Sequence, residues 1–144
     1  MSYRLVDHTA DLAIEADADT AGACLAEAAR GLAEVLTGRP PDARLADRPM
    51  AFAVEAPDHA ALAVAFLAEL VWLMESDDLL WLQGGVRVVR AADGILRAEA
   101  DGNGSRFEAA RHGRGVEVKA VTYHQVRFEA DGQGRWHLRV LLDL

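Results

Sequence analysis

The sequence predicts an α+β fold: two helices packed on a mostly antiparallel sheet. Two stretches, 21–36 and 59–75, read as helices, each directly after a capping residue. From residue 80 onward the chain is β-rich, with short apolar runs separated by Gly- and Asp-containing turn signals. The length of 144 residues suits one domain with a sizeable core, so helices and strands should share it.

Residues 3–6 and 12–16 read as strand pieces around an Asp7, His8, Thr9, Ala10, Asp11 corner. Thr20 caps the first helix, where Leu25, Ala28, Leu32, Val35 and Leu36 share one apolar face. Gly38 stops it, and Pro40 and Pro41 prevent continuation. Residues 44–48 form a polar connection, and 50–56 a strand. Asp58 caps a second helix that is apolar nearly all round, which places it between other layers. Its one interrupting charge, Glu69, needs a partner or an outward position. Strands are then expected at 80–82 and 86–91, flanking Gly84 and Gly85, and at 95–100 after an Ala92, Asp93, Gly94 turn. Asp101, Gly102, Asn103 and Gly104 read as a second turn, 106–110 as a strand and 112–115 as a loop. A long strand at 116–130 and a final one at 135–144 close the chain.

The net charge of −8 makes most of the surface repel phosphate backbones, so direct RNA binding is expected to be absent or weak. Cys24 is the only cysteine, which excludes an internal disulfide, and its helical setting reads as a small core residue. No signal peptide is visible. The most apolar stretch, 60–74, is shorter than a membrane span and carries Glu69, so a buried helix and a cytoplasmic protein are expected, with no membrane partner.

Three segments could carry chemistry. At the C-terminal end, Leu141, Leu142, Asp143 and Leu144 form an apolar strand-like tail with one carboxylate. A chain ending at Leu144 sets the Asp143 side chain near the terminal carboxylate, and such anions repel unless a cation or strong donors neutralise them. The corner at 7–11 offers a match. If the two ends meet, they make an oxygen-rich site suited to a hard divalent ion. Asp11 then reads as a ligand with His8 as neighbouring donor or base, or else as a strand corner whose Asp11 or Thr9 bonds backbone N–H groups. In the third segment, Lys119, Val121 and Tyr123 share one strand face, and Ala120, Thr122 and His124 the other. This presents either an ammonium and a phenol to a polar site or a plain sheet surface. Phosphate-loop, dinucleotide-binding, nucleophile-elbow and zinc-protease signatures are missing, and the carboxylate-rich ligand set disfavours zinc.

Taken together, His8-Thr9-Ala10-Asp11, Val118-Lys119-Ala120-Val121-Thr122-Tyr123-His124 and Arg139-Val140-Leu141-Leu142-Asp143-Leu144 resemble the archease family. The helix stretch Phe66-Leu67-Ala68-Glu69-Leu70-Val71-Trp72-Leu73 is similar as well, and the likeness covers essentially the whole chain. The resemblance implies a single domain, 1–144, of nested strand–helix–strand–strand modules, the inserted one at roughly 45–115. It also implies a role as activator, not enzyme. Archeases assist an RtcB-type RNA ligase that uses GTP and manganese to join 3′-phosphate or 2′,3′-cyclic phosphate ends to 5′-hydroxyl ends. They promote its guanylylation and multiple turnover in tRNA splicing and RNA repair. Carried over by position, Asp11 and Asp143 match the metal-binding aspartates, with an oxygen from Leu144, and the ion is calcium, magnesium or manganese. Lys119 and Glu69 match residues implicated in ligase activation, and His8 and His124 lie within matching motifs. Ala13 stands where glycine is common, and Ala68 where asparagine is common. Two other readings stay open: a general chaperone or protein-interaction module, and a stand-alone metal-dependent hydrolase using Asp11, Asp143 and His8.

Overall fold

The computed structural model describes residues 1–8 and 11–144, without the side chains of Asp7 and His8. Thr9 and Ala10 of the N-terminal motif, and the His8 side chain, lie outside the described residues.

The strands are β1 (Ser2–His8), β2 (Asp11–Ala18), β3 (Arg48–Ala56), β4 (Leu79–Arg90), β5 (Leu96–Arg106), β6 (Ala120–Ala130) and β7 (Trp136–Asp143). The helices are α1 (Ala21–Thr37), α2 (His59–Asp77) and the short α3 (Ala109–His112). One sheet has the order β1-β2-β7-β6 and the other β3-β5-β4, with every neighbouring pair antiparallel. The predicted α+β class stands, with two short helical turns more than expected: α3 and a 3₁₀ turn at Ala43–Leu45. The run β3-α2-β4-β5 is nested between α1 and the β6-β7 hairpin.

Both long helices touch both sheets, because each has an apolar surface too wide for one sheet to cover. Thr20 caps α1 by accepting from the Ala23 N–H at 3.0 Å, and Asp58 caps α2 by accepting from Ala61 N–H at 2.8 Å. Gly38 ends α1 at φ 81°, a left-handed value that glycine adopts without steric cost. By length and composition alone α2 is apolar enough to cross a membrane. Here Leu62, Phe66 and Leu67 are fully buried in the main core, while Trp72 on the opposite side is exposed. Cys24 is fully buried as expected, and burial pushes its thiol up to about 12.

Four sequence expectations need correction. Residues 80–91 are not two strands around a glycine pair: Gly84 and Gly85 lie inside one continuous strand, β4, which has an irregularity between Trp81 and Gln83. Residues 101–104 are not a turn but the middle of β5. Gly102 is needed there for closeness, since a Cβ would sit 2.1 Å from the Gln83 carbonyl and 2.8 Å from the Trp81 ring. Turn composition and close strand packing select the same residue. Residues 106–110 are not a strand but the end of β5, a connection and the start of α3. Finally, β6 starts at Ala120 rather than 116, because the N–H groups of Gly115 and Val116 bond the Leu36 and Val35 carbonyls at the end of α1.

The β6–β7 turn is organised by one carboxylate. Asp131 Oδ1 accepts from the N–H groups of Gln133 (2.8 Å) and Arg135 (3.1 Å), and Oδ2 lies 2.9 Å from His137 Nε2. The His137 hydrogen bond, then the two backbone N–H donors, hold this carboxyl down at about 2 against an ordinary 3.8. Its stabilising effect is therefore complete above pH 3.8 and lost as pH falls through about 2. In acid denaturation followed by circular dichroism, Asp131→Asn is expected to lose less stability than wild type across that window.

Candidate metal centre

The two ends of the chain meet in the centre of the first sheet. β2 and β7 pair so that Asp11 and Asp143 stand directly opposite each other. The same rung continues to His8 on β1 and Ala120 on β6. Directly opposed residues of an antiparallel pair project from the same face, with Cβ atoms roughly 5 Å apart. Leu12, Ile14, Leu138, Val140 and Leu142 alternate with these positions and enter the core beneath the helices. The two carboxylates therefore share the opposite, outer face.

Elsewhere on that face acidic groups are matched by arginines. Glu15 pairs with Arg139 at 2.8 Å and with Arg4, and Asp17 pairs with Arg135. Burial pushes the Glu15 carboxyl up, but the hydrogen bonds from Arg4 and Arg139 outweigh it and leave it below its usual range. Among the described residues, no ion pair reaches Asp11 or Asp143. Asp143 is exposed and Asp11 half-buried. Asp11 Oδ1 is fully buried and has no hydrogen-bond partner among the described residues. On the next row of the face, Ala13 and Leu141 are both buried, so the pair borders an apolar patch. Like charges directly opposed across two strands are destabilising, and a buried carboxylate oxygen without a donor is costly. A divalent cation held by both carboxylates would relieve both costs.

The remaining candidates fall in different places. Lys119 N–H donates to the Asp143 carbonyl at 2.8 Å, so its backbone is fixed to the rung, and its side chain is exposed. Leu144 packs its side chain against the main core, which docks the end of β7. His124 is carried on an irregularity of β6, where the chain advances five residues from Thr122 to Arg127 against two on β7. This breaks the expected two-residue alternation, and Tyr123 and His124 are both exposed. Thr122 Oγ1 donates to the Leu141 carbonyl (3.0 Å) and accepts from His124 N–H (3.3 Å), tying the irregularity to the strand next to the aspartates. Glu69 is half-buried on α2, on the core side of the sheet, with no hydrogen bond or ion pair to a described residue. The fold thus brings together Asp11, Asp143 and the Lys119 backbone, and leaves Glu69 on another layer. Among the described residues, no three His, Cys, Asp or Glu side chains cluster as a ready metal cage.

Comparison with known proteins identifies the family and the fold. The model of the archease protein family (MTH1598/TM1083) matches residues 3–144. The chain belongs to the archease family. An archease from Methanopyrus kandleri is 31% identical over 144 residues, covering all of both chains. One from Thermococcus gammatolerans is 32% identical, with 96% of this chain and 95% of that archease covered. The solution structure of Methanobacterium thermoautotrophicum protein 1598 superposes with a TM-score of 0.80 at 26% identity, covering 99% of each chain. A Thermotoga maritima archease, named there a possible chaperone, shares the fold with a TM-score of 0.57 at 22% identity.

Sequence reasoning missed the register that creates the pair, although a signal for it exists in the archease chain. Glu15 lies four residues after Asp11 and Arg139 four before Asp143, so aligning the opposite charges also aligns the aspartates.

Proposed function

We propose that this archease-family chain activates an RtcB-type RNA ligase, using a divalent cation held by Asp11 and Asp143. The reading is supported above all by two acidic side chains on one sheet rung, without an ion pair to any described residue on a face where Glu15 and Asp17 are paired with arginines. The buried Asp11 Oδ1, without a hydrogen-bond partner among the described residues, fits a hard cation, and an all-oxygen donor set suits calcium, magnesium or manganese. An oxygen of Leu144 is the proposed third donor. When bound, such an ion supplies positive charge that offsets phosphate charge. The chain's own residues orient it: the β2–β7 ladder fixes both aspartates, and the Lys119 N–H fixes the Asp143 backbone. The exposed Lys119 side chain is the proposed partner of an anionic group of the ligase or its nucleotide. In this reading the chain is not itself an enzyme, acts in the cytoplasm in tRNA splicing or RNA repair, and meets RNA only through the ligase.

Two tests separate the parts of this reading. Ligase guanylylation and multiple turnover are measured with and without the chain, and with and without chelator. Stimulation that chelator removes supports the reading, and no stimulation under any condition overturns it. General suppression of aggregation of unrelated proteins, indifferent to metal, supports instead the chaperone role that the Thermotoga maritima relative's name suggests. Separately, calcium or manganese is expected to raise the melting temperature of the chain. Ligand at about a hundred times its dissociation constant adds about 2.7 kcal/mol. Asp143→Asn is expected to lose that increment, yet to be no less stable than wild type in chelator, because it removes a repulsion. A variant that keeps the increment contradicts the shared site.

A further inference from the structure

The C-terminal half of α2 lies at the end of the molecule that carries the paired aspartates. Helix α2 starts beside the β6–β7 hairpin, where the His59 ring is 4.9 Å from the Trp136 ring and 5.7 Å from the Phe128 ring. From His59 to Trp72 a helix rises about 20 Å, and from Trp136 to Leu142 a strand advances about 20 Å. Helix α2 packs on β6, so Trp72 comes level with the aspartate end of that sheet. Helix α1 gives the same placement. Leu70 lines a small cavity with Leu32 and Leu36 of α1. The Leu36 and Val35 carbonyls accept from the Gly115 and Val116 N–H groups, and three residues after Val116 the Lys119 N–H donates to the Asp143 carbonyl. Three residues of chain span at most about 11 Å, so Asp143, the end of α1 and Leu70 are neighbours.

Five large apolar side chains are exposed among the described residues, and three of them, Trp72, Val116 and Tyr123, belong to this end. Trp72 is 55% exposed and Tyr123 63%. A lone apolar side chain on a surface is ordinary, but tryptophan and tyrosine are the residue types that anchor protein interfaces. Both stand on ordered backbone. Trp72 sits inside α2, where its carbonyl also accepts from Ser76 Oγ at 2.8 Å. Tyr123 rides on the irregularity of β6, where Gln125 takes φ 55°, a left-handed conformation that disfavours any residue with a side chain. That cost falls where Tyr123 and His124 are turned out to solvent.

The charge around these residues selects the partner. Glu69, Glu75, Asp77 and Glu117 have no ion pair among the described residues, against two cations in the same state, Lys119 and Arg114. The surroundings are thus acidic, in a chain of net charge −8. We infer that Trp72, Val116 and Tyr123 dock this chain onto a protein that offers apolar recesses ringed by lysine and arginine. The inference rests on the ligase reading above: an enzyme that holds a nucleoside triphosphate needs cations around its active-site mouth. Docking there brings the end that carries Asp11 and Asp143 to that mouth, and opposite charge speeds the encounter.

The test follows ligase turnover against concentration of the chain for wild type, Trp72→Ala, Tyr123→Ala and Val89→Ala. Val89 is also an exposed apolar residue, but it stands at the end of β4 remote from α2. Each aromatic variant should raise the concentration for half-maximal stimulation about tenfold or more, reach the wild-type maximum at saturation and keep its manganese binding. Val89→Ala should match wild type. Added salt should raise the half-maximal concentration of wild type. Half-maximal concentrations unchanged in both aromatic variants, or raised equally by Val89→Ala, overturn the docking surface and leave the ligase reading intact. A wild-type chain without any stimulation overturns that reading, and the assigned partner with it. A chain that sediments as a dimer, and as a monomer after Trp72→Ala, overturns the assignment in favour of a second copy.

Discussion

Asp143→Ala is expected to abolish stimulation of the ligase by this chain while leaving its fold standing. The side chain is exposed at the end of β7, where no described residue hydrogen-bonds or pairs with it, so its removal costs no packing and no native contact. The ladder around it is held by backbone groups, including Lys119 N–H to the Asp143 carbonyl, that alanine retains. What the substitution removes is one of two carboxylates that the register aims at one point. Circular dichroism and melting temperature in chelator should match wild type, and multiple-turnover ligation should fall to the rate of the ligase alone. Asp11→Asn should act in the same direction. Stimulation by Asp143→Ala at the wild-type level would contradict the proposed role.

Phe66→Ala is expected to be the most damaging of the substitutions considered for stability. Phe66 is fully buried on α2, its ring centroid 5.4 Å from that of Phe52 on β3, and Phe52 in turn meets Trp81 of β4 edge-on at 5.7 Å. Truncation leaves a void where α2 is joined to the second sheet. Such changes cost about 3–5 kcal/mol, a large share of the roughly 5–15 kcal/mol that holds a domain folded. The urea midpoint should drop accordingly with little change in slope. A loss under about 1 kcal/mol would show that this junction is not part of the cooperative core.

Much of this architecture is legible in the residues because local chemistry and global position agree. Thr20, Gly38 and Asp58 mark helix ends by hydrogen-bonding and backbone preferences that act within a few residues, and all three act where the sequence puts them. Gly102 and Gly104 mislead because the constraint on them is non-local: they admit the Gln83 and Leu80 carbonyls of a neighbouring strand. His124 misleads for a related reason, since alternation holds only while two strands keep step, and β6 loses step after Thr122. The acidic ends could be singled out from the chain, but their meeting depends on β2 and β7 pairing across more than a hundred residues. Only the opposed charges of Glu15 and Arg139 hint at that register.

The most direct test of the shared cation site is titration of the chain with manganese, followed by electron paramagnetic resonance, on wild type, Asp11→Asn and Asp143→Asn. One ion bound per wild-type chain, with binding lost in each single variant, is the predicted result. Equal manganese binding by all three chains, or none by wild type at millimolar metal, would show that the paired carboxylates of β2 and β7 do not hold an ion together.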